Sequence, residues 1–324
     1  MPDYFLISVS NRENLEICLD KNLAGFTGSI NGVWAFWDIS EGDYVSFLFA
    51  ARARNLYEVK RKIAVKNPEK NSPWPPIVLR SGREYNFPFR LILSPVREFN
   101  EPLVRQEFSF VAENLLLRGG YRKTHFQADT STLYSASQMG EKVSDEKKIA
   151  NFDEDSLFEP KITFKKEMEN PPYVYRFHEL ILQALIRKKL KSGYLNQLIK
   201  ELELPYSSSD FDVIGEKALP EGYVDLFLKQ KHPVGTDSYV LIEVKTGKAI
   251  RKDFEQLQKY LSYVKEEARA AVLVARDFPK SFKDYISSPL IKAYRYSFDS
   301  ISSDRLYTFD ELVGKLTLTY AGGV

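Results

Sequence analysis

Cysteine is almost missing from this chain. Cys18 is the single one among 324 residues, which excludes an internal disulfide and a cysteine-based zinc site and leads to the expectation of a reducing, cytoplasmic compartment. An excess of either charge is missing too. With a formal net charge of +2, attraction to nucleic acid has to come from local runs such as Arg52, Arg54, Lys60, Arg61 and Lys62, or Arg187, Lys188, Lys189 and Lys191. No apolar stretch approaches the length of a membrane span, and the N-terminus shows no basic leader followed by an apolar core, so no membrane partner is expected. The absence of a G-x-x-x-x-G-K-[ST] loop excludes an NTPase of that class. Internal repeats and low-complexity tracts are also absent.

What is present is enough apolar material, 44% of the residues, for two separate cores. The composition changes near the middle. Residues 1–134 are rich in aromatics and short strands, 135–172 are charged and sparsely apolar and are expected to form a linker, and 173–324 follow the Pro171-Pro172 pair as a second domain. The expected class is a two-domain α/β protein.

The densest chemistry lies between Gly222 and Tyr263. Asp225 sits in an apolar stretch, Tyr223 to Leu228, that reads as a strand ended by the turn at Pro233 and Gly235. A second strand is expected from Tyr239 to Val244. Alternation along it places Leu241, Glu243 and Lys245 on one face. An ionised carboxylate in mid-strand is expensive to bury without a partner. Two converging carboxylates raise each other's pKa unless a cation lies between them, and oxygen-only ligands suit Mg²⁺ or Mn²⁺. Such a cation and the Lys245 ammonium together are what phosphodiester hydrolysis needs. Upstream, a helix is expected over Tyr175 to Leu190, with Phe177, Ile181, Ala184 and Leu185 on its buried face. His178 reads as an ordinary surface or packing residue. Downstream, the run Ala271 to Ala275 reads as a strand covered on both faces, and Tyr285 to Gly314 as short helices and a strand.

In order, Gly222 with Asp225, Glu243-Val244-Lys245, and Gln256 with Tyr260 resemble the PD-(D/E)XK nuclease superfamily, in the branch that shares motifs with the RecB nuclease domain. The resemblance implies a restriction-endonuclease-like α/β core. It also implies Asp225 and Glu243 as metal ligands, the Val244 carbonyl as a further ligand, and Lys245 as catalytic. Gln256 and Tyr260 are implied to support the lysine or contact DNA, and Glu179 to complete the site from the first helix. Val224 stands where the family name has proline.

In the first domain, Tyr4 to Val9 reads as a strand and Arg12 to Lys21 as a helix capped by Ser10 or Asn11. Asn31-Gly32 and Glu41-Gly42-Asp43 read as turns bracketing Val33 to Ile39, with strands at Tyr44 to Phe49 and Tyr57 to Val65. The stretch FLISVSNRENLEICLDKNLAGF, with Trp37, Gly42, Asp43, Val45 and Phe47 after it, resembles the EVE and YTH group of PUA-like domains. That group implies a curved sheet or barrel holding a modified base in an aromatic cage. Stacking on aromatic faces offsets the cost of flipping a base out of its helix. All three tryptophans fall here; Trp37 and Trp74 are the leading pocket candidates, with Trp34, Phe26, Asn14 and Tyr85 behind them, and core packing is an equal reading for each tryptophan. Leu23-Ala24-Gly25-Phe26 stands where YTH readers carry tryptophan, so N6-methyladenine is not carried over, and a 5-substituted cytosine is equally open.

Together the two resemblances imply a modification-dependent DNA endonuclease acting on double-stranded DNA. One active centre cuts one strand, so a double-strand break calls for a homodimer or two bound copies. Two other readings stay open on the sequence. One is a repair endonuclease for mismatched or branched DNA; the other is an inactive binding protein on a nuclease scaffold.

Overall fold

Local side-chain chemistry sets the ends of the elements. Asn11, extended at φ −143°, caps the helix Arg12–Lys21 by accepting the Asn14 N–H at 2.7 Å, and Asn22 closes it in the left-handed region at φ 50°. Ser29 caps the next helix, Ile30–Asp38, by accepting the Gly32 N–H. That helix corrects the expectation of a turn at Asn31-Gly32. A Cβ on Gly32 would lie 1.9 Å from the Thr27 carbonyl oxygen, so glycine is needed there for close approach and not to reverse the chain.

These elements come from a computed structural model that describes residues 2–78, 82, 84–100, 108–117, 124–143, 153–233 and 235–323. The chain divides into two units, Met1–Arg176 and Phe177–Val324, each of mixed α/β character.

The main sheet of the first unit runs in the order Leu23–Phe26, Phe89–Glu98, Arg52–Val65, Tyr44–Phe49, Tyr4–Ser8, His125–Ala128. Only Tyr4–Ser8 with Tyr44–Phe49 is parallel along this path, and no ladder among the described residues joins its two ends. Parts of the stretch expected as a linker extend this sheet: Glu141–Lys142 pairs with Phe89–Glu98, and Leu157–Phe158 with Arg52–Val65. The core contains a polar pair that the sequence did not suggest. His125 Nε2 lies 2.9 Å from Asp38 Oδ2, both side chains are buried, and Trp34 meets the imidazole edge-on at 4.5 Å.

The second unit has a six-stranded sheet whose spatial order follows the chain: Phe211–Leu219, Gly222–Gln230, Tyr239–Lys248, Ala268–Asp277, Ile291–Phe298, Leu316–Gly323. The three middle pairings are antiparallel, parallel and parallel in turn. Val240 to Val244 and Ala270 to Ala275 are buried without interruption, as expected for strands covered on both faces. Phe254, Leu257, Tyr260, Leu261 and Val264 make the buried stripe of helix Arg251–Val264. The helix expected from Tyr175 begins later, at Glu179. His178 is extended, and its Nδ1 accepts the Leu180 N–H at 3.2 Å, so it caps the helix Glu179–Lys189, while Tyr175 lies in the short strand Val174–Arg176. Phe177, expected on the buried helix face, instead packs edge-on against Phe298 at 5.5 Å. Among the described residues no helix is long and apolar enough to cross a membrane.

Candidate active site

The register of two neighbouring strands brings the acids together. Leu226 pairs with Ile242, and one further step of the same antiparallel register sets Asp225 opposite Glu243. Side chains at such positions lie on the same face with Cβ atoms about 5 Å apart. The backbone pairing of the two strands runs from Lys229 to Leu226, and the Asp225 carboxylate takes over beyond it. Its Oδ2 accepts the Val244 N–H at 2.7 Å, and its Oδ1 accepts from Gln183 Nε2 at 2.6 Å. Lys245 Nζ donates to Glu243 Oε1 at 2.8 Å and lies 3.8 Å from a Glu179 carboxylate oxygen. Asp225, Glu243, Lys245 and Glu179 therefore form one cluster, with Glu179 reaching it from the first turn of its helix.

Burial dominates the electrostatics. Glu243 is 1% exposed and Asp225 8%. Burial, and then the Glu243 charge, push the Asp225 carboxyl well above the usual carboxylate range; Lys245 and the Val244 N–H work in the opposite direction. Glu243 is pushed up to about 7, chiefly by burial and against the pull of Lys245. Burial disfavours the Lys245 ammonium, but Glu243, Asp225 and Glu179 more than offset it, so Lys245 stays charged. Glu243 Oε2 and Gln183 Oε1 are both buried without a hydrogen-bond partner.

This donor set fits a hard divalent cation. The unpartnered buried atoms here, Glu243 Oε2 and Gln183 Oε1, are both oxygen acceptors, and a buried acceptor without a donor is destabilising unless something positive or protic meets it. Among the described residues no three His, Cys, Asp or Glu side chains are grouped closely enough to hold a metal ion. Asp225 and Glu243 would thus be completed by a backbone oxygen and water.

Gln256 and Tyr260 hydrogen-bond to each other and to the strand that carries Asp225. Gln256 Nε2 donates to Tyr260 Oη at 2.5 Å, and Tyr260 donates on to the Tyr223 carbonyl at 2.9 Å. The pair braces the backbone at the start of the Asp225 strand. Gly222 makes room for it: at φ +143° it lies in a region side chains rarely adopt, and a Cβ there would stand 3.0 Å from Tyr260 Oη. Val244, expected to offer its carbonyl, has a fully buried side chain.

Comparison with known proteins adds little. No family model matches the chain, and no curated protein matches it. Among solved structures it is similar to the DNA modification-dependent restriction endonuclease AspBHI, with a TM-score of 0.20 and 11% identity over 84% of this chain and 63% of that one. The chain thus spans less than two thirds of that neighbour's length, and so low a score carries no argument about fold or chemistry.

In the first unit, a cavity of about 160 Å³ is lined by Asn14, Cys18, Gly25, Phe26, Phe47, Trp74 and Phe87, among others. Three of the pocket candidates, Trp74, Phe26 and Asn14, meet there. The other three do not. Trp34 and Trp37 lie on the buried helix Ile30–Asp38, packed against His125 and Tyr175, and Tyr85 lines a different hollow with Asn67, Pro68 and Pro172. Trp74 lies flat on the strand Leu23–Phe26 because Gly25 has no Cβ; one built there would be 2.7 Å from the indole. Asn14 is buried, with its Oδ1 unpartnered. Burial pushes the Cys18 thiol up to about 12, so it is neutral and behaves as apolar lining.

The two basic runs are largely engaged within the fold. Lys60 pairs with Glu58 and Arg61 with Glu154, while Lys62 Nζ donates to the Ile39 carbonyl. Arg187 is buried and Lys189 donates to the Val313 carbonyl, so the second run is not a uniform solvated face.

Gln183 is the site residue that sequence reasoning missed. One signal was available. It lies one helical turn after Glu179, so the two share a face of the helix, and it is polar within an otherwise apolar run from Ile181 to Ile186.

Proposed function

We propose that the second unit hydrolyses phosphodiester bonds in DNA at the Asp225, Glu243 and Lys245 cluster, and that the first unit admits a modified base to the Trp74 cavity. The protein is then a modification-dependent endonuclease. The observation that carries the hydrolytic half is that two buried carboxylates, Asp225 and Glu243, come from neighbouring strands with Lys245 Nζ 2.8 Å from Glu243 Oε1, since a surface built for solubility would leave these groups in water.

In this reading Asp225, Glu243 and the Val244 carbonyl would hold Mg²⁺ or Mn²⁺, which when bound would lower the pKa of water and offset charge on the phosphate. Lys245, held between Glu243 and Glu179, directs its ammonium to the attacking water or to a phosphate oxygen whose charge grows as the new P–O bond forms. The bond to the leaving oxygen breaks in the same displacement, and that oxygen takes up a proton. Tyr260 and Gln256 keep the Asp225 strand in place.

In the first unit, Trp74 and Phe26 offer flat apolar faces and Asn14 Oδ1 a buried acceptor for an N–H on a base edge. One hydrolytic centre per chain means that double-strand cleavage uses two copies. The site and the single buried cysteine suit work inside a reducing, cytoplasmic compartment.

Digestion of matched duplexes tests both halves. With Mg²⁺ or Mn²⁺, DNA carrying a methylated, hydroxymethylated or glucosylated base is expected to be cut and unmodified DNA spared, with no cutting in EDTA. Equal cutting of all duplexes would end the reader assignment. Preference for a mismatch or branch would favour a repair endonuclease, and no cutting of any duplex would favour a binding protein.

A further inference from the structure

Gln183 is one of the few polar side chains buried in this unit, at 4% exposure, on a helix whose neighbouring positions Ile181, Leu182, Ala184, Leu185 and Ile186 are apolar and buried. Leucine would pack there without stranding an amide oxygen, whereas Gln183 Oε1 is buried with no partner. Gln183 Nε2 donates to Asp225 Oδ1 at 2.6 Å, while the other Asp225 oxygen accepts the Val244 N–H at 2.7 Å. The carboxylate is therefore gripped on both oxygens, from a helix on one side and a strand on the other, and cannot turn about its own axis. Each oxygen still has a lone pair to offer, because a carboxylate has about four acceptor directions in all.

We propose that Gln183 is the positioning residue of this site, fixing the plane of the Asp225 carboxylate and thereby setting how tightly the site holds a divalent cation. This rests on the phosphodiesterase reading above. Groups that hydrogen-bond a metal-binding carboxylate typically change affinity by about 10–100-fold when removed.

The test is calorimetric titration of the full chain with Mn²⁺, comparing wild type with Gln183→Met, which keeps the volume and loses the donor. The Mn²⁺ dissociation constant is expected to rise about 10–100-fold. The Mn²⁺ concentration for half-maximal DNA cleavage should rise in step, with the rate recovering at saturating Mn²⁺. Circular dichroism checks the fold, and if the methionine variant does not fold, Gln183→Asn reads the same quantity with a side chain too short to reach Asp225. A packing role alone would lower the melting temperature and leave Mn²⁺ affinity where it was, which would overturn the proposal. A wild-type chain that takes up no Mn²⁺ and cuts no DNA would instead remove the phosphodiesterase reading itself, and this proposal with it.

Discussion

Glu243→Gln and Asp225→Asn are each expected to lower DNA cleavage by at least about 10³-fold, because each removes one of the two carboxylates proposed to hold the cation, and about 4 kcal/mol of transition-state stabilisation corresponds to that factor. Their effects on stability should differ. Asp225 accepts hydrogen bonds on both oxygens, so asparagine keeps both only if Gln183 turns to present its amide oxygen, a rearrangement that Glu243→Gln does not require. Glu243 accepts only from Lys245, and its other oxygen is unpartnered, so glutamine there removes a buried charge at little loss. The pH dependence follows from the sign of the shift. Glu243 moves from 4.5 to about 7 on folding, so between those values the folded chain holds a proton that the unfolded chain has released. The Glu243 contribution to the stability of the metal-free protein should therefore be fully present below pH 4.5 and be lost as the pH rises through about 7, and Asp225, raised as well, contributes with the same sign. Thermal melts in EDTA at pH 5 and pH 8 check this. The wild type should lose more than Glu243→Gln across that interval, and Mn²⁺ should restore the wild type at pH 8; identical pH profiles would mean that the carboxylate is not strained by burial.

Trp74→Ala carries the second large effect. A base stacked on an aromatic face is worth about 1–3 kcal/mol, so affinity for a modified duplex should fall about 30-fold while affinity for the unmodified duplex hardly moves. Truncation also removes a side chain only 3% exposed, which costs about 3–5 kcal/mol of stability. Gly25→Ala supplies the control. It leaves the indole in the chain but drives it off the strand, since the new Cβ would meet the ring at 2.7 Å, and it should lower modified-base affinity as well. Fluorescence anisotropy with paired duplexes measures the ratio. If both variants melt earlier yet keep the wild-type preference, Trp74 is core and the cavity is not the reading pocket.

The central strands of the second unit could be read in the sequence because their apolar runs are bounded by turns, whereas Phe211–Leu219 was not read. Tyr223 to Leu228 and Ala271 to Ala275 lie inside Gly222–Gln230 and Ala268–Asp277. The last strand, Leu316–Gly323, leaves little local signal because LTLTYAGG is not strongly apolar, and it is held by pairing with Ile291–Phe298. Local spacing also carried the face shared by Glu243 and Lys245. What it could not carry was anything set by contacts distant in sequence. Asp38 and His125 are 87 residues apart, Gln183 and Asp225 are 42 apart, and neither pair leaves a local pattern. The same limit explains the tryptophans. Trp34, Trp37 and Trp74 are alike in composition, and only the Gly25 strand beneath Trp74 separates a cavity wall from core.

The most direct measurement is anomalous diffraction from crystals of the protein soaked in Mn²⁺. A peak bound by carboxylate oxygens of both Asp225 and Glu243, within reach of Lys245 Nζ, is the expected result. Density showing those side chains intact and no anomalous peak between them, at Mn²⁺ concentrations that support cleavage, would contradict the account.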